Sequence, residues 1–120
     1  MYILNKTKNE FGWDRIKNIL PTGGTGTLSS YYKKDSSFIY AKTGTLSNNC
    51  ALSGYLITKK GKLLIFSVLA NNYISGATPV RRAVEKFLLA IRENYWYFYP
   101  SGNKTKNQRI YLKLEPLFIL

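Results

Sequence analysis

Apolar residues recur along this chain with two periods, and the change from one to the other divides it into blocks. From Glu10 to Leu20, the residues Phe11, Trp13, Ile16, Ile19 and Leu20 fall at helical spacing, and Pro21 stops the pattern. Thr22 to Ser30 is rich in Gly and Thr and reads as a loop leading to Leu28, while Ser29 to Tyr32 suits one further helical turn. Three strand-like segments follow, Phe38–Thr43, Ala51–Thr58 and Leu63–Asn71. The last two are joined by Lys59-Lys60-Gly61-Lys62, a tight turn with Gly61 as its positive-φ residue. Thr78-Pro79 then predicts a helix, with Thr78 as N-cap and Pro79 at the first helical position. Val80, Val84, Phe87, Leu88 and Ile91 recur on one face of it, and Arg81, Arg82, Glu85, Lys86, Arg92 and Glu93 cover its solvent side. The expected fold class is α+β, an antiparallel sheet covered by helices.

After Asn94 the character changes. Tyr95-Trp96-Tyr97-Phe98-Tyr99-Pro100 is aromatic without a clear period, Ser101 to Gln108 is polar and basic, and Ile110, Leu112 and Leu114 alternate as in a strand. The division expected is therefore 1–95 as the folded unit and 96–120 as a basic aromatic tail, dispensable for folding of what precedes it. A packed extension, a partner-binding segment and sequence read past a disrupted gene end are all compatible with this tail.

Composition adds limits. With 120 residues of which 45% are hydrophobic, the chain has enough to bury one core. A single cysteine, Cys50, rules out an intramolecular disulfide and reads as a small buried residue beside Ala51. No stretch approaches the roughly 20 apolar residues of a membrane span, and the first ten residues lack the apolar run of a secretory signal. The formal net charge is +12, with ten Tyr and six Phe, a composition shared by nucleic-acid-binding modules with stacking aromatics. The basic residues are scattered over turns and helix faces, however, and no nucleic-acid signature accompanies them. Nucleic acid is thus the less favoured partner, and attraction to an anionic cell-wall polymer explains the charge equally well.

The chemistry-bearing stretch is Tyr40-Ala41-Lys42-Thr43-Gly44-Thr45, followed by Ala51-Leu52-Ser53-Gly54-Tyr55. A Lys-Thr-Gly triplet beside apolar strands is one of the signature motifs of the penicillin-recognising serine enzymes. Alone it is common by chance. Its flanks make it specific: Leu20-Pro21 and Gly24-Thr25-Gly26-Thr27-Leu28 before it, and Leu63-Leu64-Ile65-Phe66-Ser67-Val68-Leu69-Ala70-Asn71 after it. From about Trp13 to Asn94, this order resembles the C-terminal part of the D-alanyl-D-alanine carboxypeptidase/endopeptidase family of the penicillin-binding protein 4 type. The resemblance implies that residues 1–95 are the C-terminal part of a β-lactamase/transpeptidase-like domain, with the tail outside it.

It also implies roles. A stem peptide of peptidoglycan, or a β-lactam, would lie along the Lys-Thr-Gly strand as an added strand. Gly44, lacking Cβ, lets the acyl group approach the backbone, and the Thr45 N–H donates to the developing oxyanion. The Thr43 and Thr45 hydroxyls would bind the terminal carboxylate, to which Lys42 adds positive charge. Lys42 and Thr45 are thus the catalytic candidates, and Thr43 and Gly44 the substrate-binding ones. No cofactor or metal is expected. Family members work outside the cytoplasmic membrane, which implies a periplasmic or extracytoplasmic setting.

The nucleophile-bearing motifs of such enzymes lie well upstream of the triplet, and residue 42 leaves no room for them. Ser30-Tyr31-Tyr32-Lys33 and Ser101-Gly102-Asn103-Lys104 both match Ser-x-x-Lys, and Ser47-Asn48-Asn49 and Ser101-Gly102-Asn103 match Ser-x-Asn. The chain's serine, lysine and asparagine content yields about one chance match to each pattern. Ser30 is too close to Lys42 to begin a central helix, and Ser101 falls on the wrong side of the triplet. With no histidine in the chain, Ser-His-Asp and His-metal chemistry are absent. Gly23-Gly24-Thr25-Gly26-Thr27 is not followed by the Gly-Lys-Ser/Thr of a phosphate loop. The expectation is a segment of a serine-type carboxypeptidase that is inactive alone and has the missing N-terminal part as a possible partner. The rival is a non-catalytic remnant that binds cell-wall peptide or protein. A truncated gene, a deliberately made segment and a split protein fit the sequence equally.

Overall fold

Gly12 takes φ 81°, a conformation closed to most residues, and so breaks the N-terminal helical run in two. The computed structural model describes residues 1–94 and 109–116. It has α1 at Tyr2–Phe11 and α2 at Trp13–Ile19, where the sequence predicts one helix from Glu10 to Leu20. Two 3-10 turns follow, Gly26–Leu28 and Lys33–Phe38. Between them Tyr32 sits at φ 55°, so no helical turn runs through Ser29 to Tyr32.

The sheet is β1 (Ile39–Leu46), β2 (Asn49–Ile57), β3 (Leu63–Asn71) and β4 (Arg109–Pro116), antiparallel throughout and in chain order. The sequence places β3 correctly, but β1 and β2 extend further toward each other. Their ladder closes at Leu46↔Asn49, with Asn48 at φ 57°. Asparagine tolerates the left-handed region, so Ser47-Asn48 suffices as a turn and Gly44 to Leu46 become strand. Gly61 has φ 79°, as expected of the second turn. A fourth strand joins the three expected: residues 109–116, where the alternation of Ile110, Leu112 and Leu114 suits a strand, pair with β3 from Leu64↔Pro116 to Asn71↔Arg109. The remainder of the tail, including the aromatic run and Ser101, lies outside the described residues.

Helix α3 spans Ala77–Asn94. It starts ahead of the expected cap, so Thr78 and Pro79 sit inside its first turn, where Pro costs no hydrogen bond. It buries Val84, Leu88 and Ile91 against Ile39, Ala41, Leu52, Leu56, Phe66 and Val68 on one face of the sheet. On the other face, Tyr55, Leu63 and Ile65 pack on Ile16, Trp13 and Leu4 of the first two helices. Trp13 stands edge-on to Tyr40 and Tyr55, with centroids 5.3 and 5.4 Å away. The Tyr55 hydroxyl donates to the Leu4 carbonyl at 2.5 Å. This second cover is partial: Leu46 is 77% and Leu69 43% exposed. No helix among the described residues is long and apolar enough to cross a membrane.

Candidate active site

Strand β1 forms one edge of the sheet, and only its first half is covered. Thr22 makes an isolated antiparallel bridge to Tyr40, and the Ala41 N–H donates to the Pro21 carbonyl at 3.0 Å. That bond fixes the polarity of the edge. Backbone N–H groups alternate sides along a strand, so if Ala41 points away from β2, Thr43 and Thr45 do too. Lys42 and Gly44 then spend their amides on β2, opposite Ser53 and Ala51. Beyond Ala41 no described segment pairs with this side of β1. The N–H groups of Thr43 and Thr45 and the Thr45 C=O are therefore presented to an incoming extended chain, while the Thr43 C=O already accepts from Lys42.

The four candidate residues meet at this edge but not on one face. The Thr43 side chain lies on the α3 side, among the residues lining a cavity of about 30 Å³ with Leu28, Leu52, Val68, Arg81 and Val84. The Thr45 hydroxyl accepts a hydrogen bond from Arg81 Nη2 of α3 at 2.5 Å. Lys42 alternates to the opposite face, where its ammonium group donates to the Thr43 carbonyl at 2.7 Å. Lys42 has no carboxylate in ion-pair range among the described residues, in contrast to Lys6, Lys17, Lys59 and Arg82, each bonded to an acid.

Gly44 shares a face with Lys42. A Cβ built there would touch only the Ala51 side chain, at an ordinary 3.7 Å. Packing within the described residues does not require glycine at this position. Gly54, which pairs with Ala41 further along the ladder, is the opposite case: a Cβ would lie 2.2 Å from the Tyr40 carbonyl oxygen and 2.6 Å from Ala41 Cα. Gly54 is demanded by the fold, and Gly44 leaves space beside an open strand.

The loop from Pro21 to Phe38 roofs the cavity and is tied to α3. The Tyr32 N–H donates to Glu85 Oε1 at 2.6 Å, Arg82 bonds the other oxygen at 2.7 Å, and the Arg82 guanidinium sits 4.5 Å over the Tyr31 ring. Burial, with Glu85 adding to it, pushes the Tyr32 phenol far above its usual range. Burial likewise raises the Cys50 thiol, against a smaller opposing pull from Arg81. Cys50 is a packed thiol, as its sequence position suggests.

The matches at Ser30-Tyr31-Tyr32-Lys33 and Ser47-Asn48-Asn49 take no part in this arrangement. Between Ser30 and Lys33 the left-handed Tyr32 interrupts the backbone, so the two do not share one helix face. Ser47-Asn48-Asn49 is the hairpin turn, where Asn49 Nδ2 donates to the Ser47 carbonyl at 2.9 Å. Arg81, like Glu85 and Arg92, was expected on the solvent side of its helix but turns toward the rest of the fold. Its spacing of three from buried Val84, on the flank of the apolar stripe, is the signal that places it against the sheet.

Residues 2–93 match the family described as D-Ala-D-Ala carboxypeptidase 3 (S13), and the chain belongs to it. It is also 33% identical over 83 residues to a carboxypeptidase DacB of Mycolicibacterium smegmatis, an alignment covering 63% of this chain and 17% of that protein. The chain thus spans less than a fifth of the length of the curated relative it matches. No solved structure matches it.

Proposed function

We propose that this chain supplies the C-terminal, Lys-Thr-Gly-bearing segment of a serine-type D-alanyl-D-alanine carboxypeptidase of the penicillin-binding protein 4 type, acting outside the cytoplasmic membrane. Residues 1–95 are then the partial transpeptidase-like unit, and 96–120 a tail added to it. The intact enzyme acylates its serine with a peptidoglycan stem peptide, releases D-alanine and hydrolyses the ester, without a cofactor. The described residues contain no activated serine for that step, so the nucleophile comes from outside them and the chain is inactive alone.

The observation that carries this proposal is the outward polarity of Thr43 and Thr45 on an uncovered strand edge. An extended peptide docking there gains backbone hydrogen bonds. The Thr45 N–H is the donor available to an acyl oxygen, an interaction worth about 3 kcal/mol in other acyl-transfer sites. Thr43 and Thr45 offer hydroxyls to the terminal carboxylate, Lys42 adds charge from the other face, and Gly44 leaves room for the acyl group. The same edge supports a second reading, a non-catalytic remnant that binds cell-wall peptide, because peptide docking needs no serine. Titrating isotope-labelled protein with acetyl-D-Ala-D-Ala tests the shared part. Amide shifts confined to Lys42 to Thr45 and their neighbours are expected. Shifts absent there, or centred on another surface, would overturn the assignment.

A further inference from the structure

We propose that Arg81 of α3 is a positioning residue for substrate carboxylate recognition. It holds the Thr45 hydroxyl as a hydrogen-bond donor and lends its own unneutralised charge to the β1 edge. This assignment rests on β1 being the substrate edge, and it adds a residue from a helix 36 positions away in sequence.

The geometry fixes the role of the hydroxyl toward Arg81. A guanidinium has donors only, so the Arg81–Thr45 bond of 2.5 Å must have Thr45 Oγ1 as its acceptor. The single hydroxyl hydrogen then points away from Arg81. No described residue accepts it, which leaves it for an incoming acceptor. A free threonine hydroxyl would rotate between donating and accepting. Arg81 removes that freedom and selects an acceptor-only ligand atom, as in a carboxylate.

Charge favours the same ligand. Arg82, the next residue, is neutralised by Glu85 at 2.7 Å. Arg81 has no such carboxylate among the described residues, and together with Thr43 it lines the small cavity beside the edge. One face of the strand therefore offers two threonine hydroxyls and an uncompensated guanidinium, while Lys42 stands on the other. An arginine placed only to pack would not need an open strand edge as its neighbour.

The test compares acetyl-D-Ala-D-Ala with its C-terminal amide, acetyl-D-Ala-D-alaninamide, by chemical-shift titration. Wild-type protein should prefer the acid by about tenfold, the scale of one hydrogen bond to a charged group. Arg81→Gln should reduce acid affinity to that of the amide and leave amide affinity unchanged. Arg81→Lys should recover part of the preference. Thr45→Val should lose it as Arg81→Gln does, and the double variant should lose little more, since the two act as a unit. An Arg81→Gln protein that keeps the preference, or that loses acid and amide binding equally, would overturn the role. If neither ligand binds wild-type protein at β1, the assignment of the substrate edge itself falls, and this role falls with it.

Discussion

The Ala41 amide donates to the Pro21 carbonyl at 3.0 Å, and at that residue the outer cover of β1 stops. One hydrogen bond thereby does two things. It closes the first half of an edge strand, which would otherwise invite unspecific pairing, and it sets which amides of Lys42 to Thr45 face outward. The candidate site is a by-product of where the Pro21–Thr22 segment ends.

The two glycines of the ladder should respond oppositely to alanine. Gly54→Ala drives a methyl into the Tyr40 carbonyl and Ala41, so β1 must shift, at a cost of about 3 kcal/mol. Gly44→Ala meets only Ala51 at 3.7 Å and should leave the unfolding midpoint within about 0.5 kcal/mol of wild type, while weakening peptide binding at the edge. Denaturant unfolding of both variants, with the titration of Gly44→Ala, checks the pair. Equal destabilisation by the two would show that Gly44 is as structural as Gly54.

Deleting residues 95–120 should lower stability, although the change of character after Asn94 suggests a dispensable tail. Strand β4 pairs with β3 along its length, and its removal leaves a second row of backbone groups open. A lower thermal midpoint and concentration-dependent self-association are expected. An unchanged midpoint in a monomeric truncated chain would mean that β4 contributes nothing to the fold.

Stability should fall in alkali. Tyr32, Tyr55 and Cys50 all have raised pKa values caused chiefly by burial. Each keeps its proton longer folded than unfolded, so above its unfolded pKa the native state binds more protons and the slope of stability with pH is negative. The contribution is complete below about pH 8.5, the thiol reference value, and diminishes as pH rises through the thiol and phenol range near 10. Urea midpoints from pH 7 to 11 measure this, and Tyr32→Phe should flatten the decline. A midpoint that rises with pH across this range would contradict the burial of these groups.

Incubation with a labelled penicillin should leave the protein at its unmodified intact mass. On the proposed reading the edge supplies an oxyanion donor, but the described residues hold no activated nucleophile, so no acyl-enzyme is expected to form. A stoichiometric adduct mapped to Ser30 or Ser101 would make the isolated chain an enzyme.

The sequence showed the sheet more clearly than its ends. Leu63–Asn71 is apolar enough on both faces to be found whole, with helices on either side of it. The β1–β2 hairpin was blurred because Gly44 and Ser47-Asn48-Asn49 carry turn chemistry, and only pairing with a neighbour shows that Gly44 to Leu46 are strand. Helix α1 escaped notice because it buries no residue completely and so lacks a sharp apolar stripe. The Lys-Thr-Gly motif marked the candidate site. Its division between two faces follows from strand alternation once the strand is seen to run through Thr45. The Arg81 contact joins elements 36 residues apart, and local sequence carries only the hint of its place beside Val84.

Amide hydrogen exchange, residue by residue along β1, tests the substrate-edge assignment most directly. Without ligand, Lys42 and Gly44 should be protected by β2 while Thr43 and Thr45 exchange close to the free-peptide rate. Saturating acetyl-D-Ala-D-Ala should slow exchange at Thr45 and Thr43 and leave the distant β3 amides unchanged. Protection of Thr43 and Thr45 in the free protein, or exchange there that the peptide does not alter, would contradict an open substrate edge.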